Sequence, residues 1–196
     1  MNLLDKASII LTPTAYDVSE VLCVKPSDGT GDFDFSRSTE ATRVNAAGLI
    51  ETVGVNVPRI NYENGCGHFL FEPQSTNIYL NSETLVTQDV TTLASVYTVS
   101  FYGTGSITFS GTHTGSLVGT SVSDRVSLTF TATAGTLTST ITGLVSNGQC
   151  ENLSYATSYI TTAETQTTRN QDLCNNGGGL ATINSTEGTL YFEGAA

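Results

Sequence analysis

Apolar and polar positions alternate most regularly between residues 95 and 142. Tyr97, Val99 and Phe101 alternate with Thr98, Ser100 and Tyr102, the period-two signature of a half-buried strand. Ile107 with Phe109, Val126 with Leu128 and Phe130, and Leu137 with Ser139 and Ile141 repeat the pattern. Gly103, Gly105, Gly111, Gly115, Gly119, Gly135 and Gly143 punctuate these runs at the spacing of turns in a sandwich or jelly roll. A jelly-roll-like β-sandwich over residues 83–174 is therefore expected.

Upstream the extended pieces are shorter. The apolar run Ile9, Ile10, Leu11 ends at Thr12 and Pro13, and residues 1–24 fit strand and short helix equally well. The stretch from Lys25 through Pro26, Asp28, Gly29 and Gly31 to Asp32 is a concentrated turn signal. It leads into Phe33, Asp34 and Phe35, with the two phenylalanines on one face. Thr42 to Val44, Leu49 to Glu51 and Val55 to Val57 read as further short extended pieces, and Gly67 to Glu72 as a strand stopped by Pro73. A small, loop-rich module over residues 1–82 is expected, so the fold class is all-β. Residues 175–179 have the composition of a flexible link. Gly188, Thr189, Leu190, Tyr191, Phe192 and Glu193 look like the first strand of a further domain, or one that pairs with a neighbouring chain.

Composition narrows the function. Charged residues make up 13% of the 196, about half the usual ~25%, and Thr, Ser, Asn and Gly take their place. Thr favours extended backbone and covers a sheet without like-charge repulsion. The formal net charge of -11 repels phosphate and argues against a nucleic-acid partner. No basic leader with an apolar core opens the chain and no apolar run nears ~20 residues, so a soluble protein with no membrane insertion is expected. Cys23, Cys66, Cys150 and Cys174 are widely spaced, without a Cys-x-x-Cys pair or a histidine at ligand spacing. Free thiols are expected, with no metal site and no cofactor.

Candidate chemistry is sparse. His68 and His113 are the only histidines, and neither accompanies a nucleophile motif. Glycan cleavage would need paired carboxylates. In the sandwich these are chiefly Asp124, beside Arg125, and Glu151. Asp28, Asp32 and Asp34 lack the spacing of a calcium loop. A non-enzymatic chain is expected. Tyr97, Tyr102, Tyr155 and Tyr159 could stack on sugar faces, although such tyrosines more often serve the core or its rim. Arg37, Arg43 and Arg59 lie among Asp34, Glu40, Glu51 and Glu72, where carboxylates can hold planar guanidinium groups.

The run DFDFSRSTEATRVNAAGLIETVGVNVPRINY, followed by FLFEPQSTNIYLNSE, resembles a module near the N-terminus of many tailed-bacteriophage virion proteins of the tail, fibre or structural kind. The likeness spans residues 32–83. The stretches YTVSFYGTGSITFSGTHTGSLVG, RVSLTFTATAGTLTSTITG and GQCENLSYATSYITT are similar to the carbohydrate-binding-module-like sandwich that often follows it. In such relatives a concanavalin-like domain often comes next, and GTLYFEG looks like its opening strand. The resemblance implies a structural subunit of a virion appendage, a head or tail fibre or spike, that serves particle assembly and host attachment. It would partner other virion proteins as a trimer or dimer. Residues 1–82 would attach to the particle, and Arg37, Arg43 and Arg59 could belong to that contact. The alternative is an adhesin module that recognises host surface glycans.

Overall fold

In the computed structural model the described residues are 3–180, 182–184 and 186–191. After a short helix, α1 (Leu3–Lys6), the chain forms strands β1 (Ile10–Asp17), β2 (Glu20–Lys25), β3 (Phe33–Ser36), β4 (Ala41–Val44), β5 (Ile50–Val53), β6 (Ile60–Glu63) and β7 (Cys66–Phe69). There follow β8 (Ser75–Asn77), β9 (Gln88–Thr92), β10 (Ser95–Gly103), β11 (Ser106–Gly111), β12 (Gly115–Val118), β13 (Ser121–Ala132), β14 (Gly135–Thr142), β15 (Ser146–Glu151), β16 (Thr167–Arg169) and β17 (Leu173–Asn175). The protein is all-β, as its alternating pattern requires. No described helix is long and apolar enough to cross a membrane.

Two compact units result, one from Met1–Pro73 with Asn170–Ala196, the other from Gln74–Arg169. The second is thus inserted within the first, and the boundaries depart from the expected 82/83 and 174/175. The reason lies in residues that interact far along the chain. Asn77 and Tyr79, expected in the N-terminal module, are wholly buried in the second unit. Asn77 donates to the carbonyls of Gly148 and Ile160, and its Oδ1 accepts from the amide of Cys150. Conversely, β17 returns to the first unit and pairs with β3, Cys174 opposite Phe35.

The first unit is a four-stranded sheet in the order β1-β2-β3-β17 with two hairpins, β4-β5 and β6-β7. Pro13 sits in β1, an edge strand, where a missing N–H is tolerated. Asn64 and Gly65, at φ 51° and 81°, make the two-residue turn of β6-β7. Residues 55–57 are not a strand. Asn56 adopts φ 59° and exchanges hydrogen bonds with Arg37, its Oδ1 accepting the Arg37 amide at 3.0 Å and its own amide donating to the Arg37 carbonyl. Gly188 to Tyr191 carry no strand, and Leu190 and Tyr191 are exposed. Phe192 and Glu193 lie outside the described residues.

The second unit packs two antiparallel sheets, β13-β10-β15 and β12-β11-β14-β9, as a sandwich. Tyr97, Val99, Phe101, Phe130 and Cys150 from the first meet Ile107, Phe109, Leu137 and Val90 from the second in one core. Strand β10 is buried on both faces, since Thr98 and Ser100 are as inaccessible as Val99. The segment after β15 covers this outer face, and Thr98 Oγ1 donates to the Leu153 carbonyl at 2.8 Å. At one corner the backbones of Gly103, Gly105, Gly119 and Leu144 interlock through the bonds Gly105 N to Leu144 O and Gly119 N to Gly105 O, both 2.8 Å. A Cβ on Gly119 would lie 2.1 Å from the Gly103 carbonyl oxygen.

Phe130→Ala should destabilise the sandwich by about 3 to 5 kcal/mol, because the ring stacks on His113 at 4.0 Å and packs against Phe109 at 5.6 Å. Denaturant unfolding measures it, and an unchanged midpoint would mean the side chain is not in the core. Gly119→Ala should also lower the midpoint, since the clashing atom is backbone and cannot swing aside.

Candidate functional site

Residues 74–78, the β9-β10 corner and the turn after β15 surround a groove of about 360 Å³ on the sandwich. Ile78, Leu93, Tyr97 and Leu153 supply apolar wall, while Gln74, Ser75, Thr76, Thr91 and Asn152 supply amides and hydroxyls. Such a lining can hold a neutral ligand that has both C–H faces and hydroxyls. No carboxylate, histidine or thiol is among these lining residues.

The four tyrosines do not form one platform. Tyr97 is 3% exposed and its hydroxyl accepts the Leu93 amide at 3.1 Å, so little of its ring is accessible. Tyr159 is also buried, its hydroxyl bonded to Ser82 Oγ at 2.7 Å, and burial pushes its ionisation up. Both are corrected from sugar-stacking candidates to interior residues. Tyr102 is half-buried, and Tyr155, at 50% exposure, is the most exposed of the four.

The arginines part ways similarly. Arg43 is half-buried and pairs with Glu51 across β4-β5 at 2.6 Å, a partly solvated pair of small energetic weight. Arg37 and Arg59 are wholly buried, which corrects their candidacy as contacts with another protein. Arg37 Nε donates to the Thr39 carbonyl at 2.8 Å, Nη2 to that of Gly54 at 2.7 Å, and Nη1 to Val57 O at 3.2 Å and Asp172 Oδ1 at 2.9 Å. Arg59 Nη1 reaches Thr42 O and Glu72 Oε2, both at 2.9 Å, and its Nη2 bonds Asp172 Oδ2. Burial lowers the Arg37 pKa against the opposing pull of Asp172. One carboxylate thus bridges two interior guanidinium groups, which in turn hold carbonyls of the β3-β4 loop, the β5-β6 loop and β4.

Asp172 lies 135 residues from Arg37, within the stretch expected to belong to the sandwich, and no local motif marks it. Of the carboxylates expected around the arginines, Glu51 and Glu72 take up that role. Asp34 instead accepts the Asn176 side-chain amide at 2.7 Å.

The acids of the Gly-rich turn serve the turn itself. Asp28 Oδ1 accepts from Thr30 N and Oγ1, which lowers its pKa, and Asp32 Oδ1 accepts the Cys23 amide at 2.7 Å. No group of three or more His, Cys, Asp or Glu among the described residues could hold a metal ion. The four cysteines are unpaired thiols, and burial raises the pKa of Cys23, Cys150 and Cys174, which disfavours thiolate chemistry. Asp124 is exposed and Glu151 enclosed.

Comparison with models of protein families finds none that matches the chain, and searches of curated proteins and of solved structures find no match either.

Asp172→Ala would leave two guanidinium groups buried without their shared counter-charge, a loss of about 3 to 5 kcal/mol. Unfolding should then split into an early transition of the first unit and an unshifted transition of the sandwich. Calorimetry distinguishes this from one common transition, which would mean that Asp172 does not act on the first unit alone.

Proposed function

We propose that this chain is a non-enzymatic structural subunit of a bacteriophage virion appendage, in which the first unit joins the particle and the inserted sandwich is displayed outward for host attachment. Its partners are other virion proteins, with two or three copies of the chain assembled symmetrically. The observation that carries the reading is the motif of residues 32–83, which resembles virion proteins and whose buried arginines serve as a framework. The arginine contact with neighbouring proteins narrows to Arg43. The hydroxyl-rich, charge-poor sandwich suits exposure on a particle.

A second reading, a glycan-recognising adhesin module, is favoured by the groove beside Leu93 and by the exposure of Tyr155. It shares the display geometry and differs in which step the sandwich performs.

A chain with Pro73 joined to Asn170 by a short linker should still be incorporated into particles, whereas the excised Gln74–Arg169 unit should fold yet remain free. The reverse result would reject the proposed polarity. On a glycan array the sandwich should bind through the groove, with Leu93→Asp weakening binding at least about tenfold, or roughly 1.4 kcal/mol. A full chain that binds no glycan leaves assembly as its role and removes the adhesin reading.

A further inference from the structure

Side chains alternate across β15, so Cys150 enters the core while Gln149 and Glu151 share the opposite face. The segment after β15 folds over that face and brings Thr157 against both. All three are wholly or almost wholly buried, with Thr157 the most accessible at 2%. The Thr157 hydroxyl donates to Glu151 Oε1. The carboxylate is held by two further donors, Ser75 Oγ at 2.6 Å and the Thr157 amide at 3.0 Å. The Gln149 carboxamide meets the same hydroxyl, its Nε2 donating to Thr157 Oγ1 at 3.5 Å.

The carboxamide is itself oriented. Its oxygen accepts the Ile160 amide at 2.6 Å, and its nitrogen donates to the carbonyls of Thr157 and Ser158, both at 3.3 Å. A hydroxyl bonded to a base, an acyl group beside it and a backbone N–H on the acyl oxygen are the parts of an acyl transfer. Their confinement supplies the proximity that makes such a reaction effectively unimolecular.

We propose that Thr157 and Gln149 become joined by an intramolecular ester, formed once per chain without any other enzyme. Glu151 takes the proton from Thr157 Oγ1 as that oxygen attacks Gln149 Cδ. The charge developing on Gln149 Oε1 is stabilised by the Ile160 N–H. Collapse breaks the Cδ–Nε2 bond, and Glu151 returns the proton to the departing nitrogen, which leaves as ammonia. No oxidation or reduction occurs and no co-reactant is needed. Burial keeps out the water that would hydrolyse the product. The cross-link would close the segment after β15 onto its strand, whatever the chain's role in a particle.

Intact-mass measurement of the denatured wild-type chain tests it. The expected mass is lower than that of the sequence by one ammonia. After cleavage on the C-terminal side of glutamate, the peptide ending at Glu151 and the peptide beginning at Asn152 should remain one species, which mild base separates. A succinimide at Asn147 would lose the same mass but leave those peptides apart, and that result overturns the proposal, as does a full-mass wild type. Thr157→Ala and Glu151→Gln should each show the full mass of their own sequence, while Thr157→Ser should keep the loss. Persistence of linked peptides in Thr157→Ala would also overturn it. Because the reading is covalent and made on denatured protein, the wild type decides the question even where a variant folds poorly.

Discussion

The first unit depends on the carboxylate of Asp172, which two buried guanidinium groups share. Its strands are three to eight residues long, and its buried apolar side chains are few, chiefly Val21, Phe35, Val53 and Ile60. Such a module has little hydrophobic driving force. What orders its irregular loops is Arg37 reaching the carbonyls of Thr39, Gly54 and Val57 and Arg59 reaching that of Thr42. Two interior cations are tolerable only with a counter-charge between them, and Asp172 supplies it. The strand β17 that follows completes the sheet beside β3, so the return of the chain provides both charge and edge.

The sandwich meets a related problem mostly with hydroxyls and amides. Covering both faces of β10 buries Thr98 and Ser100, and each must find a partner because an unpaired hydroxyl in the interior is costly. Thr98 shares a bond with Thr129 and Ser100 accepts from Arg125. Asn77 and Gln149 do the same for the backbone, replacing ladder bonds where the chain leaves regular structure. The low charge content of the sequence has a structural counterpart here: Glu151 and Arg169 are buried in this unit, but buried hydroxyls and amides outnumber them.

The sandwich was legible in the sequence wherever one face of a strand meets the core. The alternation at Tyr97, Val99 and Phe101, and at Leu137, Ser139 and Ile141, lies in β10 and β14. The Asn64-Gly65 pair was open to the same kind of reading, since a left-handed two-residue turn demands such residues. Other features had no local signature. The burial of Thr98 comes from a segment more than fifty residues away, and a period-two pattern assigns that position to solvent. Tyr97 and Tyr159 look identical in sequence to Tyr155, yet packing leaves Tyr155 the most exposed of the three. Asn56 interrupts an apolar pair, Val55 and Val57, that reads as strand. Asp172 is the clearest case, because a bridge between Arg37 and Arg59 is a property of the closed fold and not of any stretch of chain.

The insertion also bears on the order in which the chain can fold. For Asp172 to meet Arg37, the ends of the intervening segment must come together, and closing a flexible loop of roughly a hundred residues costs about 4 kcal/mol of entropy. The pairing of β8 with β16, which places Ser75 opposite Arg169, brings those ends together within the sandwich itself. Once the sandwich has formed, the connection that the first unit must close is short, and most of that entropy has already been lost. A sandwich formed first would lower the entropy that its host has still to lose, whereas a first unit assembled ahead of it would have to bear the whole cost alone.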